Sequence, residues 1–272
     1  MLSRESMPAR SATPGDGPGA LLRYWRTHRR RSQMDLALEV GVSARHLSFI
    51  ETGRSTPSPA MLMALADGLE VPLRERNQLL LAAGYAPRFA EQRLSEPGMA
   101  PVLAALQRLL DAHQPYPGVV LDRHWNVVLA NGAAQSLALL LPEALRTPTL
   151  NIFRASLHPA GLAALTLNFA EWGRYLLGRL QRLAASDAAM QALAAELLQH
   201  AEVRALCDRL PPSLENSLLV PCVMALPFGR VSLFTTLTTF GTPRDITLDE
   251  LCVELFYPSD AASEALLRQA AA

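Results

Sequence analysis

The sequence has no lysine, only three cysteines and no long apolar run. All 25 basic residues are arginine, which a GC-rich genome explains more simply than a requirement for planar guanidinium contacts. Cys207, Cys222 and Cys252 are widely spaced in apolar surroundings, so they indicate neither a disulfide framework nor a zinc site; we expect reduced thiols in a cytoplasmic protein. No stretch approaches the roughly 20 apolar residues of a membrane helix, and the N-terminus lacks the apolar middle of a signal peptide.

The remaining composition indicates a folded protein with two domains. Of the 272 residues, 50% are apolar and 18% are charged, which is ample material for two cores. The formal net charge is zero, but the charges are unevenly distributed. There are ten arginines and six acids between Gly19 and Ala90, whereas thirteen arginines and seventeen acids follow from Glu91 onward. The balanced total therefore hides a basic first part and an acidic second part.

The first part shows the spacing of five short helices within residues 19–90, after a proline-rich and glycine-rich tail over residues 1–18 that we expect to be disordered. Ser32 begins the second helix with a capping-box pattern, Gly41 ends it, and Ser43 begins the third. The predicted helices run from about Ala20 to His28, Gln33 to Val40, Ser43 to Thr52, Ser58 to Leu69 and Pro72 to Gly84.

The second and third helices carry the pattern of a helix-turn-helix. Two helices can cross closely only when a small residue faces the partner, the turn contains glycine, and apolar residues anchor the second helix. Ala37, Gly41, Leu47 and Ile50 meet these demands at the required intervals. The leading helix and the two further helices supply the context that such a motif needs.

The whole unit from Leu21 to Gly84, including the run Ser43–Glu51, closely resembles the DNA-binding domain of phage repressors and of XRE-type (xenobiotic-response-element) regulators. This resemblance implies an all-α, lambda-repressor-like domain whose third helix lies in the major groove of double-stranded DNA. Arg45 is the candidate for bidentate contact with a guanine, and apolar members of the set suit thymine methyl groups. The residues implied to read bases are Ala44, Arg45, Ser48 and Phe49, and those implied to contact the DNA backbone are Gln33, Ser43, His46 and Arg54.

An irregular stretch from Tyr85 to Gly98 leads to a second domain, which we assign to residues 99–260. Its pattern predicts a helix, a hairpin, a long helical region and then strands rich in β-branched and aromatic residues. This order indicates an α+β domain around an antiparallel sheet, followed at 261–272 by a helix or tail. The predicted elements are a helix at Pro101–Ala112, a hairpin at Val119–Leu129, helices over Gly132–Leu210, and strands at Leu218–Ala225, Val231–Phe240 and Cys252–Phe256.

Several stretches of this domain resemble the MmyB-like ligand-binding domain, which has a PAS-like sheet. The matching pieces are Val119–Asn131, Asn151–Arg154, Trp172 and the terminal strands, in a consistent order. The resemblance implies a cavity for a small apolar ligand, with fatty acids as the suggested class, and Arg154 or Arg174 as the anchor of a carboxylate. The residues implied to line the cavity are Trp125, Phe153, Phe169, Trp172, Met224, Phe234 and Phe256.

Three alternatives remain open for these domains. The aromatic residues also fit a plain core, in which case the second domain is a dimerisation surface without a ligand. The helix-turn-helix fold also serves as a protein-interaction module without DNA. An enzyme is disfavoured because the sequence has no phosphate-binding glycine loop, no His-Glu-x-x-His and no nucleophile elbow, so we expect no catalytic residues, metal or cofactor. A single helix-turn-helix buries little DNA surface, so we expect a homodimer.

Overall fold

The computed structural model describes residues 17–207 and 218–271, which form two compact units. The first unit holds the described residues up to Gln92 together with Thr242–Asp249, and the second holds Arg93–Gly241 and the residues from Glu250 onward. The sequence interpretation assigned residues 242–249 to the second domain, whereas their contacts place them in the first unit. The tail predicted over residues 1–18 lies outside the described residues except for Gly17 and Pro18.

The first unit is built from five helices, which confirms the all-α prediction. The Ser32 hydroxyl accepts a hydrogen bond from the Asp35 amide and the Asp35 carboxylate accepts one from the Ser32 amide, so the capping box is complete. Gly41 has a φ of +76° at the turn, a conformation that favours glycine. The helices are α1 (Pro18–His28), α2 (Gln33–Val40), α3 (Ala44–Glu51), α4 (Pro59–Gly68) and α5 (Leu73–Ala82).

The helices of the first unit close around one apolar core. A side chain at Gly19 would put its Cβ 2.2 Å from the Ile50 carbonyl oxygen, so α1 can approach α3 closely only because glycine stands there. Ala37 of α2 is buried and belongs to the same core as Leu47 and Ile50 of α3. The most buried apolar side chains of this core are Leu22, Leu36, Leu47, Ile50, Leu62, Leu65, Leu69, Val71 and Leu79.

The segment Thr242–Asp249 packs within the first unit. The Asp245 carboxylate is buried and accepts a hydrogen bond from the Gln92 amide at 3.0 Å, and the Ile246 amide donates to the Ala90 carbonyl at 2.8 Å. A short helix, α13 (Ile246–Glu250), begins within the segment. Because the segment connects two strands of the second unit, the chain passes back through the first unit before the last strand.

The second unit is an α+β domain around a five-stranded antiparallel sheet, as predicted. Its strands are arranged in the order β2-β1-β5-β4-β3, so the last strand in sequence lies at the centre. The strands are β1 (Gly118–Leu121), β2 (Val127–Ala130), β3 (Cys222–Leu226), β4 (Gly229–Thr239) and β5 (Cys252–Pro258). The helices are α6 (Ala100–Ala112), α7 (Gly132–Ala138), α8 (Glu143–Arg146), α9 (Ile152–Leu157), α10 (Phe169–Ala184), α11 (Ala188–Leu197), α12 (Ala201–Arg204) and α14 (Ala261–Ala270).

Strand β4 begins at Gly229, two residues before its predicted start at Val231, and two other strands begin later than predicted. Trp125 was expected to open the second strand of the hairpin, but its φ of +65° places it in the turn, and β2 begins at Val127. The next strand was expected from Leu218, but β3 begins at Cys222. Periodicity cannot separate an apolar turn from an apolar strand, which explains both errors. The end of the predicted helical region, residues 208–210, lies outside the described residues.

One face of the sheet carries most of the core of this unit. Helix α10 lies over it and buries Trp172, Leu176 and Leu180 against strand residues such as Val119 and Leu233. Across the residues that the structure describes, no helix has both the length and the apolar character needed to cross a bilayer.

Candidate nucleic-acid interface and ligand cavity

The outward face of α3 combines two arginines with one aromatic ring. Arg45 and Arg54 are exposed, and their guanidinium carbons lie 5.4 Å and 5.9 Å from the centre of the Phe49 ring. Phe49 is half-buried, so its ring rests on the domain while both cations remain at the surface. This arrangement presents a positively charged surface with an apolar centre.

The other predicted DNA contacts lie around the start of the same helix. The Ser43 hydroxyl accepts a hydrogen bond from the His46 amide at 3.1 Å and thereby caps α3. Ala44, His46 and Ser48 are half-buried, and Ala44 packs against the edge of the core. The structure therefore brings the predicted base-reading residues onto one face, with Arg45 as the most exposed of them.

Gln33 is held in place by a buried carboxylate that the sequence interpretation missed. Its side-chain amide donates to Glu51 at 2.7 Å, and the Arg26 guanidinium donates two further bonds to the same carboxylate, at 2.6 Å and 2.9 Å. Glu51 is only 7% exposed. Glu51 lies one turn after Leu47 on the buried stripe of α3, and this spacing was the signal in the sequence from which its burial could have been predicted. Glu51 thus fixes the orientation of Gln33, whose amide has a second proton that this hydrogen bond does not use.

The arginine run after α1 has structural roles. Arg29 donates to the carbonyl oxygens of Leu69 and Glu70 at the end of α4, at 3.0 Å and 2.8 Å. Arg31 pairs with Glu39 of α2. Two members of the run, Arg29 and Arg31, therefore bind groups of their own domain.

A small apolar cavity lies between the sheet and the helices of the second unit. Its volume is about 80 Å³. Trp172, Met224 and Phe256 line it, as the sequence interpretation proposed. The other lining residues are Pro117, Val119, Ala134, Leu137, Ala138, Leu141, Leu150, Ile152, Ala155, Ser156, Leu162, Thr166, Leu176, Cys222, Leu233 and Glu254.

The remaining proposed lining aromatics lie elsewhere. The rings of Trp125 and Phe153 pack on each other with centroids 4.7 Å apart, and both belong to the core. Phe169 packs at the edge of that core. Phe234 stacks on Tyr257 with centroids 5.4 Å apart. These four side chains are not among the lining residues, so the structure gives them packing roles.

Neither proposed arginine anchor lines the cavity. Arg154 donates two hydrogen bonds of 2.7 Å to Glu196, which lowers the pKa of that carboxyl. Arg174 donates to the Leu206 carbonyl oxygen at 3.3 Å. The charged side chain in the lining is instead Glu254 of β5, which sequence reasoning missed. A glutamate inside the apolar run Cys252–Phe256 was the signal that could have found it.

A second, larger cavity adjoins the first. It has a volume of about 520 Å³, is half-open to solvent, and shares Pro117 and Leu137 with the smaller cavity as common walls. Its lining includes the polar groups of Gln114 and Ser136. Pro117 and Leu137 thus border both the larger cavity and the small apolar cavity.

Both units match known families. Residues 102–270 match the family described as the MmyB-like transcription regulator ligand binding domain, and residues 22–76 match a helix-turn-helix family. Proteins of Mycobacterium bovis and of two strains of Mycobacterium tuberculosis, each called an uncharacterized HTH-type transcriptional regulator, are 29% identical to this chain over 121 residues. That alignment covers 44% of this chain and 43% of each relative, so the chain matches less than half of their length. Because the first family match spans more than half of the sequence, the chain belongs to the MmyB-like transcription regulators, with a helix-turn-helix domain before the ligand-binding domain.

Proposed function

We propose that this regulator binds duplex DNA through the outward face of α3. The observation that carries the proposal is the exposure of Arg45 and Arg54, whose guanidinium carbons lie 5.4 Å and 5.9 Å from the centre of the Phe49 ring. A guanidinium in the major groove can donate two hydrogen bonds to one guanine, and an aromatic edge suits a thymine methyl group. Ala44 and Ser48 complete the base-reading set, while Gln33, Ser43 and His46 contact phosphates.

The regulator acts as a homodimer in this proposal. One helix-turn-helix covers a few base pairs, and useful affinity at physiological salt requires two copies on a two-fold symmetric site. The half-sites are then expected about 10 base pairs apart, because successive major grooves on one face of the duplex have that spacing.

The second unit senses a small apolar molecule that occupies the cavity under α10. The cavity wall is almost wholly apolar, which supports such a ligand, and fatty acids are the class that the family resemblance suggests. The protein has no catalytic role in this proposal.

The segment Thr242–Asp249 offers a covalent route between the two functions. It belongs to the first unit, where it contacts Ala90 and Gln92, and it continues directly into β5, which contributes Glu254 and Phe256 to the cavity. A ligand that shifts β5 would also shift this segment, which packs in the first unit. Occupancy of the cavity would in this way change the affinity for DNA.

A ligand-independent dimerisation domain is the second candidate. The volume of about 80 Å³ favours it, because it is about half that of an apolar cavity of about 150 Å³ that is known to bind benzene. In this alternative the apolar residues form a core, and the second unit serves only to pair two chains.

Selection of bound sequences from random duplex DNA by the full chain tests the DNA-binding proposal. We expect a two-fold symmetric motif and an affinity that falls steeply as salt rises. A selection without any sequence preference would contradict the proposal. Mass spectrometry of apolar molecules extracted from the purified chain then separates a sensor from a ligand-independent dimer.

A further inference from the structure

Glu254 occupies the centre of the sheet. It pairs with Val119 of β1 on one side and with Leu237 of β4 on the other, and it is 5% exposed. Side chains alternate between the two faces of a strand, so Glu254 and Phe256 share the face that borders the cavity. A carboxyl group is therefore placed at the wall of an apolar space.

Only part of the hydrogen-bonding capacity of this carboxyl is used. The Thr235 side chain hydrogen-bonds to it, whereas Oε2 is buried with no hydrogen-bond partner among the described residues. Burial raises the pKa of Glu254 to about 7, against the opposing effect of the nearby Arg179. The Arg179 guanidinium lies over the Trp125 ring at 4.3 Å and is not part of the cavity wall. A buried acceptor without a donor costs free energy that a suitable ligand would recover.

Two of the three other polar side chains in the wall have partners of their own, and the third, Ser156, carries no charge. The Thr166 hydroxyl donates to the Leu162 carbonyl oxygen at 2.8 Å. Cys222 interacts with Thr166, and burial keeps its thiol protonated by raising its pKa to about 12. Glu254 is thus the group that would determine which polar end group of a ligand fits in the cavity.

We propose that the cavity binds an apolar molecule whose end group, an alcohol or an amine, donates a hydrogen bond to Glu254, in preference to a carboxylate. This inference rests on the proposed sensor function but replaces the fatty-acid class that the family resemblance suggests, because the end group of a fatty acid would meet Glu254. Above the pKa of Glu254 a ligand carboxylate would face a second carboxylate in a low-dielectric site, where the two repel strongly. Neither Arg154 nor Arg174 is in the wall to neutralise the second anion.

The dimensions determine how such a molecule is accommodated. About 80 Å³ holds the end group and a few carbon atoms, and the rest of an alkyl chain passes between Pro117 and Leu137 into the larger cavity. A chain of intermediate length would therefore fill both spaces.

Matched eight-carbon probes test the proposal: 1-octanol, octylamine and octanoate, with shorter and longer members of each series. Each is titrated at pH 8 into the full chain, and binding is measured by calorimetry and by the change in tryptophan fluorescence, to which the cavity residue Trp172 contributes. We expect the alcohol or the amine to bind the unmodified chain at least about tenfold more tightly than octanoate. Glu254→Gln, whose amide also donates, should bring the affinities to within about threefold of one another. Phe256→Leu is the control, because it changes the wall without changing its charge and should weaken all probes alike.

The outcomes separate this inference from the sensor proposal. If octanoate binds as tightly as the alcohol and the amine, the role of Glu254 is wrong while the cavity remains a ligand site. If no probe of any length binds, both the inference and the sensor function fail. The comparison among probes on the unmodified chain decides the inference even if Glu254→Gln does not fold.

Discussion

The Asp249 carboxylate accepts a hydrogen bond of 2.9 Å from the backbone amide of Leu73, a residue 176 positions earlier in the chain. Leu73 is the first residue of α5, and Pro72 before it provides no side-chain cap. The first amides of a helix have no partner within the helix, so an acceptor from elsewhere stabilises its start. The segment Thr242–Asp249 therefore caps a helix of the DNA-binding unit.

Asp249→Ala should loosen the start of α5. Loss of a capping acceptor costs about 1 kcal/mol of local stability, so the Leu73 amide should exchange its hydrogen faster. Hydrogen exchange read by mass spectrometry on a peptide that spans Leu73 measures the effect. Asp187→Ala is the matched control, since Asp187 caps α11 of the second unit and its loss should leave this peptide unchanged. Unchanged exchange in Asp249→Ala would show that the contact does not protect the helix.

Arg45→Ala should reduce sequence discrimination in DNA binding. The loss of one bidentate contact to a base costs about 1 to 3 kcal/mol at that base pair. Binding to the selected duplex and to duplexes changed at single positions measures this loss. Arg182→Ala removes one exposed arginine from α10 and should leave base preference intact. A variant at Arg45 that keeps the same base preference would remove this residue from the reading set.

Glu51→Ala should unfold the DNA-binding unit more easily. It leaves the largely buried Arg26 guanidinium without its carboxylate, and breaking a buried ion pair in this way costs about 3 kcal/mol. Glu39→Ala breaks the more exposed pair with Arg31 and should cost less than about 1 kcal/mol. Chemical denaturation of both variants gives the comparison. Equal losses of unfolding free energy in Glu51→Ala and Glu39→Ala would mean that Glu51 does not hold Arg26 and Gln33 in place.

Local signals in the sequence predicted much of this fold. Ser32, Gly41 and Ser43 are cap and turn residues whose chemistry acts within a few positions, so the bounds of α2 and α3 follow from them. The family resemblances supplied the arrangement of the domains. The exposed Arg45 could also be predicted, because the buried stripe of α3 leaves it on the opposite face.

The parts that sequence missed depend on contacts between distant residues. Asp249 and Leu73 are brought together only by the fold. Glu254 is an ordinary acidic residue by composition, and its burial follows from the central place of β5 in the sheet. Arg154 was a plausible anchor for a ligand carboxylate, but in the structure its guanidinium is paired with Glu196. Periodicity describes one element at a time, so it does not reveal such partners.

Glu254 should make the second unit less stable as the pH rises. Its pKa is about 7 in the folded chain, against 4.5 as the ordinary value, because burial disfavours the ionised form. Between these values the unfolded chain releases the proton while the folded chain retains it, so stability falls from about pH 4.5 to about pH 7 and levels off above that range. The groups around Glu254 are the Arg179 guanidinium, the neutral Thr235 hydroxyl and the thiols of Cys222 and Cys252, whose pKa values are raised by burial.

Replacement of Glu254 by glutamine isolates this effect, because the amide has nearly the same shape and no charge. The free energy of unfolding of Glu254→Gln, relative to the unmodified chain, should increase by about 2 kcal/mol between pH 5 and pH 8. Glu196→Gln is the control with the opposite sign, since pairing with Arg154 lowers the pKa of Glu196 and its charge is favourable at both pH values. Chemical denaturation at a series of pH values measures both variants. A constant difference between Glu254→Gln and the unmodified chain would mean that the carboxyl is ionised in the folded protein throughout, and that β5 does not hold it in an apolar environment.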